Sequence, residues 1–149
     1  MTVVRKFQAQ DLTALVELFE SYRAFYKMHP NKGASKIFLA ERTQNKDSII
    51  FVSIDEQHKL TGFVQLYPIF SSTRLQRLWL LNDLFVDEKH RGKGVSKLLI
   101  IEAQKMCTES NACGMILETA KKNEIGNTLY ALMGFKKDED HNYYEWSDN

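Results

Sequence analysis

The stretch Arg91-Gly92-Lys93-Gly94-Val95-Ser96-Lys97 combines three cations with two glycines. Glycine lets a backbone come close to a ligand, and a helix that opens there presents first-turn N–H groups with no partner inside the helix. The helix dipole adds partial positive charge at the same point. With Arg91, Lys93 and Lys97 as full charges, the chemistry is capture of an anion, a pyrophosphate in particular. The plainer reading is a loop with two turn glycines. The stretch is neither a P-loop nor a Gly-x-Gly-x-x-Gly fingerprint, and it lies mid-chain rather than after a first strand. Just upstream, Asp83 is a lone carboxylate near the end of an apolar run, where it can cap a neighbouring backbone group. Tyr130 offers a phenol hydroxyl that can act as a proton donor. Its plainer reading is a core aromatic on a helix.

The elements that must position these residues are legible from periodicity. Residues 77–86 are apolar and branched enough for a buried strand, and the charged turn Asp87–His90 follows. Lys97 onward reads as a helix to about Glu109. Upstream, residues 2–7 read as a first strand. Asp11 is placed to cap a helix whose Leu12, Leu15, Val16, Phe19, Tyr22 and Tyr26 recur at helical spacing. His29-Pro30-Asn31-Lys32-Gly33 breaks it, and a shorter helix covers Ser35 to Thr43. Ile49–Ile54 and Leu60–Phe70 read as a hairpin. Downstream, residues 115–119 read as a short strand and Asn123 to Met133 as a last helix closed by Gly134. A final strand is expected at Tyr143–Trp146. The order β-α-α-β-β-β-α-β-α-β describes an α/β architecture with one mixed sheet and helices on its faces.

Composition narrows the function. A chain of 149 residues with no linker or repeat reads as one domain over residues 1–149. Lys plus Arg total 20 and Asp plus Glu 19, so the net charge of +1 makes no electrostatic case for nucleic acid or an anionic membrane as partner. No apolar run has transmembrane length, and the N-terminus lacks the apolar core of a signal peptide. Cys107 and Cys113 suit a reducing, cytoplasmic setting, and the four scattered histidines offer no metal-ligand spacing. A metal is therefore not expected.

Arg91-x-x-Gly94 resembles the Gln/Arg-x-x-Gly-x-Gly/Ala signature of the GNAT superfamily of acetyl-CoA-dependent N-acetyltransferases, with Ser96 in place of the final Gly/Ala. The segment Asn123 to Phe135 resembles that superfamily's second hallmark, Asn-x-x-Ala-x-x-Leu-Tyr followed by Leu-Gly-Phe. Asn123, Leu129, Tyr130, Gly134 and Phe135 match it, and Gly126 replaces the alanine. The two hallmarks stand in the order the superfamily has them. The same segment, with Asp83, is locally similar to spermidine/spermine N-acetyltransferases, although Asn82 stands where those carry glutamate.

The resemblance implies a mostly antiparallel mixed sheet with a splayed strand pair and helices on both faces. It implies acetyl-CoA as cosubstrate, its pantetheine arm on the backbone of Leu84, Phe85 and Val86 and its pyrophosphate on Arg91, Gly92, Lys93, Gly94, Val95, Ser96 and Lys97, with Asn123 contacting the arm from the far side. Direct attack of a neutral amine follows, with Tyr130 as general acid and Asp83 as base or as the anchor of a cationic acceptor. Tyr22 and Tyr26 are placed in the acceptor pocket by the same resemblance. The acceptor it favours is a small cationic amine such as a polyamine, with the acidic run Asp138-Glu139-Asp140 expected to border the same mouth, and the assembly it favours is a homodimer. Two alternatives stand beside this: a protein lysine or N-terminal acetyltransferase, and a non-catalytic acyl-CoA-binding sensor.

Overall fold

The computed structural model describes residues 1–148. The chain runs β1 (Val3–Lys6), α1 (Leu12–Phe25), α2 (Lys32–Gln44), β2 (Ile49–Ile54), β3 (Leu60–Ser71), β4 (Gln76–Val86), α3 (Val95–Glu109), β5 (Met115–Ile116) and α4 (Glu124–Leu132), with short 3-10 turns at Ala9–Asp11 and Glu88–His90. Residues 1–118 make one compact unit, and the described residues from Thr119 onward make a second.

The first unit holds a five-stranded sheet in the order β1-β2-β3-β4-β5. Strands β1 to β4 are antiparallel neighbours, and β5 runs parallel to β4. This is the mixed, mostly antiparallel α/β fold expected. The two faces follow from the period of two along each strand. Ile50, Val52, Phe63 and Phe85 point to one face and form a core with Leu15, Val16, Leu18 and Phe19 of α1 and Leu39 of α2. Each such side chain contributes about 1.5–3 kcal/mol when fully buried. Helix α3 packs on β2, β3 and β4, and its Val95, Leu99, Ile100 and Ala103 are buried.

Four local expectations are corrected. Asp11 does not cap α1 through its side chain. Its carboxylate instead accepts from Arg5 Nη1 at 2.7 Å, Arg5 Nη2 at 2.9 Å and the Gln8 N–H at 2.8 Å, which ties β1 to the entry of the helix. Helix α2 starts at Lys32 rather than Ser35, because the Asn31 side chain accepts from the Ala34 N–H at 3.1 Å and provides a cap before Gly33. Strand β5 is only Met115–Ile116. No strand forms at Tyr143–Trp146, where Tyr143, Tyr144 and Trp146 are exposed. Aromatic composition favours a pleated surface, but a strand also needs a ladder partner.

Candidate active site

Strand β4 carries the site because it is irregular in two ways. Against β3, Gln65 pairs with Asp83 and Leu66 with Leu81, so Asn82 is an extra, unpaired residue. A bulge of this kind bends the strand and re-aims the side chains beside it. Against β5, the ladder consists of Trp79 with Met115 and Leu80 with Ile116 and stops there. From Leu81 to Val86 the β5-side edge of β4 has no ladder partner among the described residues. Leu84, Phe85 and Val86 lie on that stretch, where β4 has an unpaired backbone edge.

Asp83 is buried at 5% exposure and lies two residues from Phe85, facing α1 and α2. Its two oxygens accept from Gln65 Nε2 at 2.7 Å and from Asn82 Nδ2 at 3.0 Å, and Gln65 Oε1 accepts from Ser48 Oγ at 2.9 Å. Around it stand tyrosines. Burial pushes the Tyr67 hydroxyl up to about 12; Asp83 adds in the same direction and Arg42 opposes. Tyr26 is raised too, by burial first and then by the charges of Asp83 and Glu118. Both stay neutral phenols across physiological pH, available as hydrogen-bonding groups rather than as bases. The Tyr22 ring packs at 5.1 Å from Tyr26, 5.7 Å from Phe63 and 6.1 Å from Phe85. Its hydroxyl points to the Asn82 carbonyl at 3.5 Å. Tyr22, Tyr26 and Asp83, singled out in the sequence, are therefore brought to one face. Gln65, Tyr67 and Glu118 were missed. Gln65 carried a signal, being a lone amide in the apolar run of β3; Tyr67 and Glu118 carried none.

The glycine turn follows β4 directly. Gly92 and Gly94 have φ of +73° and +78°, which L side chains rarely adopt, and a Cβ at either would meet no protein atom within 4 Å. The space in front of the turn is open. Gly94 begins α3 without a side-chain cap, and the first intrahelical bond is Leu98 N–H to Gly94 O at 3.2 Å. The N–H groups of Val95, Ser96 and Lys97 precede that bond, so the turn has the geometry of an anion cradle. Lys97 is exposed. Lys93 Nζ donates to the Lys89 carbonyl at 3.3 Å, and Arg91 folds back: its Nε donates to the Val86 carbonyl at 2.8 Å and its guanidinium lies 5.2 Å from the Phe85 ring centre. Arg91 thus braces the turn against the end of β4.

Residues 14–135 match the acetyltransferase (GNAT) family. An uncharacterized N-acetyltransferase of Bacillus subtilis is 33% identical over 135 residues, which is 91% of this chain and 90% of the relative. The chain belongs to the GNAT family of acetyltransferases. The crystal structure of a probable acetyltransferase superposes with a TM-score of 0.94 at 35% identity, covering 99% of this chain and 98% of that one. A spermidine N(1)-acetyltransferase of Thermoplasma acidophilum is 25% identical over 149 residues, 91% of this chain and 89% of the relative. This protein is accordingly an N-acetyltransferase, of a family that generally draws its acetyl group from acetyl-CoA.

Asn123, Tyr130 and Asp138, singled out in the sequence, lie in the second unit. Asn123 caps α4: its Oδ1 accepts from the Gly126 N–H at 3.0 Å and its Nδ2 donates to Thr119 Oγ1 at 3.0 Å. The Asn123 side chain occupies the space that a Cβ at position 126 would take. Helix α4 ends in a double turn, Phe135 N–H to Tyr130 O at 3.0 Å and Gly134 N–H to Ala131 O at 3.1 Å, with Gly134 at φ +89°. That turn brings the Phe135 ring to 5.8 Å from Tyr130, edge-on, so the phenol has a fixed seat. Asp138 is engaged locally, accepting from the Asp140 N–H at 2.9 Å and contacting His141 Nδ1 at 2.8 Å. Among the described residues no helix is long and apolar enough to cross a membrane, and no group of His, Cys, Asp and Glu is arranged to hold a metal ion.

Proposed function

We propose that this protein moves the acetyl group of acetyl-CoA onto the primary amine of a small cationic acceptor, and that residues 1–149 act as one catalytic domain in a reducing, cytoplasmic setting. The observation that carries the reading is the buried Asp83 carboxylate at the bulge of β4, next to the edge that β5 has left. The residues present fit acetyl-CoA. A strand edge at Leu84, Phe85 and Val86 offers backbone groups to an amide-bearing arm, and the open turn of Arg91 to Ser96, with Lys93 and Lys97, offers N–H groups and charge to a pyrophosphate. Asn123 retains amide capacity beyond its capping bonds, since such a side chain has two donors and two lone pairs.

When bound, acetyl-CoA supplies the activated acetyl group as a thioester. The chain's own residues do the rest. Asp83, oriented by Gln65 and Asn82, draws the acceptor's ammonium and takes the proton that must leave before nitrogen can attack. Tyr22 and Tyr26 wall the acceptor, and Glu118, whose charge reaches Tyr26, adds a second carboxylate that suits a cation. Tyr130 gives its proton to the departing sulfur. Within that class polyamines are the first to test, in keeping with the spermidine-acetylating relative from Thermoplasma acidophilum, and a protein lysine is the second.

Acetyl transfer to spermidine, a short diamine, thialysine and a lysine peptide tests this directly. A small amine is expected to show the highest kcat/KM, and Asp83→Asn is expected to lower it about tenfold or more, the equivalent of ~1.4 kcal/mol of transition-state stabilisation. If the peptide ranks first and Asp83→Asn leaves the ranking unchanged, the assignment is wrong.

A further inference from the structure

On the α1 and α2 side of the sheet, Phe38, Arg42, Asp47 and Tyr67 line an open groove of about 480 Å³. Arg42 comes from the last turn of α2, and Asp47 from the connection to β2. The Arg42 guanidinium lies over the Phe38 ring at 4.8 Å, and its Nε donates to Asp47 Oδ2 at 3.2 Å. One of its terminal nitrogens has only the Glu41 carboxylate, at 3.8 Å, too long for a good hydrogen bond. A guanidinium carries five N–H donors in a planar fork shaped for a carboxylate. The groove therefore holds a cation over an aromatic ring with its fork incompletely used, and an anion beside it.

The groove is joined to Asp83. Asp47 is followed by Ser48, whose Oγ donates to Gln65 Oε1 at 2.9 Å, and Gln65 Nε2 donates to Asp83 Oδ2 at 2.7 Å. Tyr67, one wall of the groove, follows Gln65 on the same face of β3 and feels the charges of both Asp83 and Arg42. Tyr67 thus connects the surroundings of Asp83 with the side-by-side cation and anion of the groove.

We propose that the groove of Phe38, Arg42, Asp47 and Tyr67 is the far subsite of the acceptor and reads a zwitterion, so that the substrate is an α,ω-diamino acid acetylated on its ω-nitrogen. The α-carboxylate takes the open edge of the Arg42 fork, the α-ammonium faces Asp47, and the methylene chain crosses Tyr67 toward Asp83. The inference rests on the reading of Asp83 as the amine site and adds the group at the opposite end. A plain diamine would bring a second ammonium up to Arg42 and leave the fork without an anion.

Matched pairs that differ only in the carboxylate decide it: lysine against cadaverine, and ornithine against putrescine. The full-length protein with acetyl-CoA is expected to show kcat/KM at least about tenfold higher for the amino acid of each pair, the worth of ~1.4 kcal/mol. The difference is expected mainly in KM, because the carboxylate sits far from the reacting atoms. In Arg42→Gln the ratio within each pair should fall to near one. Calorimetry on the protein saturated with CoA supplies a readout independent of turnover, with lysine binding lost in that variant and circular dichroism confirming the fold. Equal ratios in the native protein, preference for cadaverine or putrescine, or a ratio unmoved by Arg42→Gln would overturn the zwitterion subsite while leaving Asp83 standing. If none of the four is acetylated and a lysine peptide is, the small-amine reading itself falls, and this inference with it.

Discussion

Tyr130 is seated by its ring, which packs edge-on against Phe135 across the turn that ends α4. Removing only the hydroxyl keeps that packing and isolates the chemistry. Tyr130→Phe is expected to lower turnover by about 10²-fold or more with cofactor affinity nearly unchanged, the range for a lost general acid. Single-turnover kinetics combined with acetyl-CoA titration checks this, and an unaltered chemical step would assign protonation of the thiolate to water or to the departing ammonium. Asp83 has less freedom in the fold. Its oxygens accept two side-chain amide donors, so an asparagine there must turn one amide toward another, and a loss of about 1–3 kcal/mol in stability should accompany the kinetic effect.

At the scale of elements, the turn between β4 and α3 is where conformation and ligand approach can be separated. Because Gly94 sits at φ +78° with open space beyond it, a methyl group there costs strain but meets no protein atom. Gly94→Ala should therefore lose about 1–2 kcal/mol of stability from backbone strain alone. Its affinity for acetyl-CoA should fall as well, because the methyl occupies the space through which a pyrophosphate reaches the N–H groups. Urea unfolding and calorimetry read the two effects apart, and intact affinity in a folded variant would remove the turn from cofactor binding. The junction of β1 with α1 gives a prediction in pH. The Arg5 guanidinium, with help from the Gln8 N–H, holds the Asp11 carboxyl below its ordinary range. A depressed folded pKa contributes stability above the unfolded value of about 3.9 and loses it as pH falls through the folded pKa. Asp11→Asn should accordingly lower the midpoint of urea unfolding at pH 7, and the gap from the native protein should close in strong acid. A gap constant down to pH 2 would show that the carboxylate's charge is not what matters.

For the whole molecule, the exposed aromatics near the C-terminus invite an interface. Tyr143, Tyr144 and Trp146 are 76%, 85% and 84% exposed. Large rings of this kind are enriched at subunit contacts and depleted on free surfaces. A homodimer is expected, with sedimentation at micromolar concentration giving twice the chain mass of 17.3 kDa and Trp146→Ala moving it toward one. A single-chain mass for the native protein would dismiss the dimer.

Much of the site was legible in the chain because its signals are local. The glycine turn, the run of β4 and the Gly134 stop each depend on a few neighbouring residues, and the spacing between them already describes the family's order. Local rules also misled where a distant partner intervened. Asp11 is a good cap by type, but Arg5 takes its carboxylate; the aromatic run at 143–146 is strand-like by type, but it has no ladder. What only the tertiary structure decided is which side chains share a face. The extra residue at Asn82 changes the register of β4 against β3, and that shift places Asp83 opposite Gln65, on the face of Phe63 and Tyr22. A bulge is a property of two paired strands, and the joining of Arg42, Asp47 and Tyr67 depends on how α2 lies over β3. No spacing within one segment encodes either, because both arise from contacts between segments far apart in the sequence.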